Sequence, residues 1–247
     1  MEYSRWAPYY HAIAREFDFP FEREVASADR LEALLPSAAR VSPLGRIAPR
    51  LAGREVIVVG LAPRTGPPPI WRLPSSDPAP AIVAADGAAA VCLDAGIVPA
   101  VIATDLDGPL ATEVGANRRG SLVVVHAHGD NLDAIDEWVP QFPGELAGSW
   151  AGPPRPALID VGGFTDGDRA VYLAEAVGAR SVLLWGFDFR ASDEPDPGRR
   201  ARKLAKLAWA DRLIGDLAAT GRSRIETWRR DGSRVPYDTG RNDASTR

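Results

Sequence analysis

The sequence predicts an α/β protein with a mostly parallel sheet, and three observations predict it. Six short runs, "EVIVVG", "AIVAADG", "AVIATDLDG", "SLVVVHAHGD", "ALIDVGG" and "SVLLWGFDF", are apolar almost without alternation, which suits strands covered on both faces. Segments of helical length, at 87–96, 131–139 and 166–178, lie between most of them, so strand and helix alternate along the chain. Each run stops at Gly, Asp or His, as strands do where their carboxyl ends open onto a ligand crevice. Together these describe a Rossmann-like sheet flanked by helices.

The elements follow in order. Residues 4–16 and 27–39 carry apolar side chains at helical spacing (Trp6, Tyr10, Ile13, Phe17; then Leu31, Leu34, Leu35), and Ser27 stands where a cap of the second helix belongs. Residues 1–50 are therefore a small N-terminal helical region. The α/β domain spans 51–230, interrupted by the proline-rich loop "PRTGPPPIWRLPSSDPAP" at 63–80, too long for a plain connector. A long helix is expected from about Arg199 to Ala219, after "ASDEPDPG", and "RIETW" supplies a last strand. The tail 231–247 is polar and expected to fray.

Composition narrows the function. With 45% hydrophobic and 25% charged residues and a net charge of −4, the chain is an ordinary globular protein, and nothing in the total points to nucleic acid or membrane. The single cysteine, Cys92, lies in an alanine-rich apolar run and excludes a disulfide framework or a multi-cysteine zinc site. The opening residues are broken by charges and no run of about 18 apolar residues occurs, so a cytoplasmic location is expected. A homodimer is compatible with the chain.

The strand ends hold the chemistry. Gly60, Asp86 with Gly87, Asp105 and Asp107, His126 with His128, Asp130 and Asn131, Asp166 with Asp168, and Asp188 would converge on one rim although they are far apart in sequence. Carboxylates gathered this closely repel one another unless a cation joins them, and magnesium, an oxygen-seeking ion, is the natural candidate. Asp-x-Asp places the Asp105 and Asp107 carboxylates on one face of an extended segment, and His-x-His does the same for two imidazoles. Asp86, Asp130, Asp166 and Asp168 each have an alternative role as helix caps or first-turn acids. A phosphate loop of the Gly-x4-Gly-Lys type is absent, since "GLAPRTG" lacks the lysine.

The segment "ADGAAAVCLDAGIVPAVIATDLDG" resembles thiamin pyrophosphokinases, and a closer resemblance is to the archaeal-type 6-hydroxymethyl-7,8-dihydropterin pyrophosphokinases. It rests on "TDLDG" (104–108), "HAHGDN" (126–131), "GGFTDGDRA" (162–170) and "GFDF" (186–189), in order, with "RKLAKL" and the aromatic first helix in support. The resemblance implies magnesium-dependent transfer of the β,γ-diphosphate of ATP to the hydroxymethyl group of a reduced pterin, releasing AMP, in tetrahydromethanopterin- or folate-type cofactor synthesis. Carried over, Asp86, Asp105, Asp107 and Asp130 handle magnesium and diphosphate, with Asp166 and Asp168 on the same rim. His128, Arg169, Lys203 and Lys206 are candidates to absorb charge on the leaving group. Asp188 or Asp160 is a candidate for the donor edge of the pterin, with Trp185 or Phe187 stacking. The family's Gly-x-Gly-Pro-Ser-Leu turn is replaced here by "VGLAPRTGPPP", where Arg64 and Thr65 are the candidate substitutes. A thiamin pyrophosphokinase or a non-catalytic nucleotide-binding module is the alternative.

Overall fold

The computed structural model describes residues 2–40, 42–63, 66–70 and 78–238. Three helices come first: α1 (Tyr3–Phe17), α2 (Phe21–Leu34) and α3 (Pro43–Leu51). The α/β part follows as β1 (Glu55–Val59), β2 (Ala81–Ala85), α4 (Ala88–Asp94), β3 (Val101–Thr104), α5 (Leu110–Arg118), β4 (Leu122–Ala127) and α6 (Leu132–Trp138). Then come β5 (Leu146–Trp150), β6 (Leu158–Ile159), α7 (Asp166–Ala176), β7 (Ser181–Trp185), α8 (Pro197–Thr220), β8 (Arg224–Trp228) and β9 (Arg234–Pro236).

One nine-stranded sheet has the order β6-β5-β4-β3-β2-β1-β7-β8-β9. All its pairs are parallel except β8 with β9. The strands β1, β2, β3, β4 and β7 are buried along nearly their whole length, and this is why they are apolar without alternation: successive side chains enter different cores. Val56, Val58, Val83 and Val124 pack with α1, α3, α7 and α8 on one face. Ile57, Val59, Ala84 and Val125 pack with α2, α4, α5 and α6 on the other. The chain adds strands outward from β1 to β6, then returns through α7 to place β7 on the other side of β1. Such a reversal opens a crevice at the carboxyl ends of the central strands.

The structure departs from expectation in four places. Ser27 caps nothing: α2 begins at Phe21, directly after Pro20, with Glu22 and Glu24 in its first turn, and Ser27 is buried in mid-helix with its hydroxyl unpartnered. A strand, β5, runs through "LAGSW", which has no β-branched residue to mark it. α5, "LATEVGANR", buries Glu113, Ala116 and Asn117 and so lacks an apolar stripe. In the tail, Arg234–Pro236 pairs with β8 instead of fraying, and Arg234 clamps Glu55 through both Nη atoms. The proline-rich loop connects β1 directly to β2, with no α-helix among its described residues. Among the described residues no helix is long and apolar enough to cross a membrane.

Candidate active site

At the end of β2 the backbone takes a left-handed step at Asp86 (φ 44°) and enters α4. At the end of β3 it does the same at Leu106 (φ 69°), whose N–H is accepted by Thr104 Oγ1 at 3.0 Å and whose side chain is buried. Non-glycine residues held in this region carry strain, which clusters at functional sites. The step has a direct effect: Asp105 and Asp107 turn toward each other and toward Asp86 by a kink, not by the pleat of an extended strand. Oxygens of these three carboxylates lie within 4.8 Å of one another. Thr104 Oγ1 donates to Asp86 at 3.1 Å and fixes that side chain.

The charges are only partly compensated. Burial, and then the neighbouring Asp105 and Asp86, push the Asp107 carboxyl up to about 7. Burial alone would raise Asp105 as well, but contact with His128, the Asp107 hydrogen bond and Lys206 outweigh it and leave Asp105 below the ordinary carboxylate range. The two carboxyls are thus driven apart, Asp107 toward the protonated form and Asp105 toward the ionised one. Asp166, at the start of α7, is raised by burial and then by Asp105 and Asp86. Glu113 of α5, fully buried behind Asp86, is pushed up to about 9 by burial and then by Asp86, and its oxygens have no hydrogen-bond partner. Asp105 Oδ1 is likewise buried without a partner. Oxygens with more negative charge than the chain neutralises are a donor set that fits a hard dication.

Beside this cluster lies a narrow pocket, partly open to solvent, with a cavity volume of about 50 Å3. Trp6, Tyr10, Ile13, Phe19 and Phe164 give it apolar walls, and Glu24, Asp105, His126, His128, Arg169 and Lys206 give it polar ones. Asp105 thus belongs to both cavity and cluster. His128 Nε2 lies 3.5 Å from Asp105 Oδ2, and its Nδ1 accepts the Asp130 N–H at 3.4 Å, an arrangement that leaves the proton on Nε2, facing the carboxylate. His126, stacked on His128 at 6.3 Å, is buried, hydrogen-bonds Ser149 Oγ at 3.1 Å, and is held well below the usual imidazole range by burial and then by Arg169 and His128. Arg169 is 3% exposed; its Nη2 donates to the Phe164 carbonyl, and its Nε is unpartnered. Gly163 (φ 93°) lets the chain pass α7, since a Cβ there would meet the Arg169 backbone at 2.5 Å.

The other expected residues divide. Asn131 ties the rim together, donating to the Asp105 and His126 carbonyls at 2.7 Å each. Asp168 closes a capping box, accepting from the N–H groups of Phe164 and Thr165 at 2.6 and 2.7 Å. Asp130 stands at the surface, 3.9 Å from Arg23, apart from the three-carboxylate cluster. Of the two lysines, Lys206 lines the pocket, 5.8 Å above the Phe164 ring, whereas Lys203 faces Asp193 outside it. Gly60 and Gly87 sit on the rim at the end of β1 and the start of α4. Neither Asp188, which accepts the Arg190 N–H, nor Asp160 lines the pocket. Trp185 donates to the Gly66 carbonyl, and Phe187 packs on Gly60 and Gly167, so neither ring faces the pocket. Arg64 and Thr65 lie outside the described residues. Sequence reading missed Glu24 and Glu113. The signal for each was a carboxylate on a helix's buried face, Glu24 in line with Ser27, Ala28 and Leu31, Glu113 with Ala116 and Asn117.

The chain is similar to proteins of known name. A family model described as 6-hydroxymethylpterin diphosphokinase MptE-like matches residues 45–194. A protein of Methanothermobacter thermautotrophicus named 6-hydroxymethyl-7,8-dihydropterin pyrophosphokinase is 35% identical over 92% of this chain and all of its own length. Proteins of the same name from Methanocaldococcus jannaschii (35% identical, 76% of this chain, 80% of theirs) and Pyrococcus furiosus (33%, 91% and 98%) are similar too. With a family model over most of the α/β part and two relatives matched nearly end to end, the chain belongs to the 6-hydroxymethylpterin diphosphokinase MptE-like family.

Proposed function

We propose that this chain transfers the β,γ-diphosphate of ATP to the hydroxymethyl group of 6-hydroxymethyl-7,8-dihydropterin, yielding the pterin diphosphate and AMP, within synthesis of a tetrahydromethanopterin- or folate-type cofactor. The observation that carries this reading is the junction at Asp105: an aromatic-walled pocket fit for a flat ring opens directly onto a carboxylate cluster fit for a metal-bound triphosphate. The names of the three relatives point to the same reaction.

Asp86, Asp105 and Asp107 would hold magnesium, which supplies charge neutralisation to the phosphate oxygens. The chain's own work is placement. The pterin hydroxyl oxygen bonds to the β-phosphorus, the bridging bond to the α-phosphate breaks, and AMP leaves with the electron pair. Diphosphoryl transfer asks for alignment and electrostatics more than for a covalent partner. Lys206 and Arg169 offer positive charge beside the carboxylates, and the Asp105 carboxylate, held by His128 at the boundary of pocket and cluster, is placed to accept the hydroxyl proton. The aromatic walls keep water from competing as the acceptor.

Incubation with ATP, magnesium and 6-hydroxymethyl-7,8-dihydropterin, followed by mass detection, is expected to give the diphosphorylated pterin and AMP, with thiamin giving no product. Asp105→Asn and Asp107→Asn are each expected to lower turnover by about 100-fold or more, in line with removing a group that fixes transition-state charge. Near wild-type turnover by both variants would sink the metal assignment.

A further inference from the structure

We propose that Glu24 selects the pterin ring, its carboxylate accepting the 2-amino and N3–H donors of a pteridine seated in the pocket between α1, α2 and the start of α7. This rests on the reaction proposed above and assigns the ring-recognition element of the same site.

Two carboxylates line the pocket, Asp105 and Glu24. Asp105 is engaged with the carboxylate cluster and His128, which leaves Glu24 to face a ligand. Glu24 is 3% exposed and sits on the buried face of α2. Its Oε1 accepts the Gly129 N–H at 2.8 Å, and among the described residues that is its one hydrogen bond. Its charge faces Arg169 and His128 at a distance, without a contact ion pair. A carboxylate taken out of water with so few partners is costly unless something else completes it. Burial raises the group, which is the mark of a carboxylate short of donors.

The walls explain which donors suit it. Phe19 and Phe164 lie 6.2 Å apart, Phe17 is 5.1 Å from Phe164, and Trp6 is fixed by its bond to the Ala151 carbonyl at 2.7 Å. These are rigid apolar surfaces for a flat heterocycle. On a pterin, the 2-amino group and N3–H are parallel adjacent donors, the complement of a carboxylate. On a lumazine, the 2-oxo counterpart, one of them becomes an acceptor and faces Glu24 with like polarity.

Glu24→Gln tests this, because the amide keeps an acceptor for the Gly129 N–H but presents one donor and one acceptor to the ring. Fluorescence titration with oxidised 6-hydroxymethylpterin is expected to show about 10- to 100-fold weaker binding than wild type, the loss seen when a site built for a hydrogen bond loses its match. The KM for ATP should stay within twofold, and preference for 6-hydroxymethylpterin over 6-hydroxymethyllumazine should collapse or invert. A merely structural glutamate would not move that preference. Wild-type protein alone supplies a second measurement: it should favour the pterin over the lumazine by at least 10-fold, and parity would overturn the assignment whatever the variant does. Unchanged pterin affinity and selectivity in Glu24→Gln would overturn it too. If wild type binds the pterin, Glu24→Gln loses it and no diphosphate forms, the transfer reaction falls while the role of Glu24 stands.

Discussion

Gly108 has no side chain because the Asp86 carboxylate stands where one would be: a Cβ at that position would meet both Asp86 oxygens. Its backbone needs no left-handed conformation, so Gly108→Ala leaves the fold unstrained and instead drives Asp86 off its Thr104 hydrogen bond. The expected outcome is a melting temperature within about 3 °C of wild type, as for a change costing under roughly 1 kcal/mol in a chain this size, with diphosphate transfer reduced at least about 10-fold. Undiminished turnover in a steady-state assay would show that Asp86 does not need its present position. At this scale the sequence was partly legible. Asp105 and Asp107 stood out as a pair, but the means of their convergence did not, because a leucine in left-handed backbone has no sequence signature. Glu24 and Glu113 were invisible for a related reason: a lone acid in a helix reads as solvated unless the buried stripe it interrupts is already known.

α7 shows what an element contributes. It is buried on nearly every side from Asp168 to Ala174 and runs beneath the centre of the sheet, so its first turn opens beside the carboxylate cluster. Asp168 fixes that turn by accepting the Phe164 and Thr165 N–H groups and by facing the buried Arg169. Asp168→Ala would leave two amides without acceptors and a buried guanidinium short of a counter-charge, at a cost of about 2–4 kcal/mol. In a chain of this length that is a fall in melting temperature of about 5–15 °C by calorimetry; a fall under 2 °C would refute the structural role. Strands buried on both faces were readable from their continuous apolar runs, and so were helices with an apolar stripe. β5 and α5 were not, because Gly148 admits the Leu31, Leu35 and Leu158 side chains against its backbone and α5 turns a glutamate and an asparagine inward. In both, tertiary packing rather than local pattern decides the conformation.

Across the whole molecule, folding brings together carboxylates from β2, β3, α5 and α7 that the unfolded chain keeps apart, and this couples stability to pH. Asp107 rises from 3.8 to about 7 and Glu113 from 4.5 to about 9, each by burial first and neighbouring acids second, and Asp166 moves the same way. A group raised on folding favours the folded state below its unfolded pKa, and that contribution is lost as pH climbs through the folded value. Asp105, Glu145 and Glu175, which are lowered, act oppositely and only at more acid pH. Buried His126, held below the usual imidazole range, opposes this trend up to its unfolded value near 6.5, so the metal-free protein is expected to lose thermal stability chiefly from about pH 7 to 9. A divalent cation binds the ionised cluster, so it should restore what the protons supplied. The increment in melting temperature from excess magnesium or manganese should be small at pH 5.5, grow through pH 7 and level above it. At 100-fold excess over Kd, binding adds about 2.7 kcal/mol, or about 5–10 °C for this length. Scanning calorimetry across that range measures it, and Asp107→Asn should flatten the dependence through pH 7, since it removes the proton that competes there. An increment equal at pH 5.5 and pH 8 in the wild type would mean that the cation binds elsewhere than at Asp86, Asp105 and Asp107.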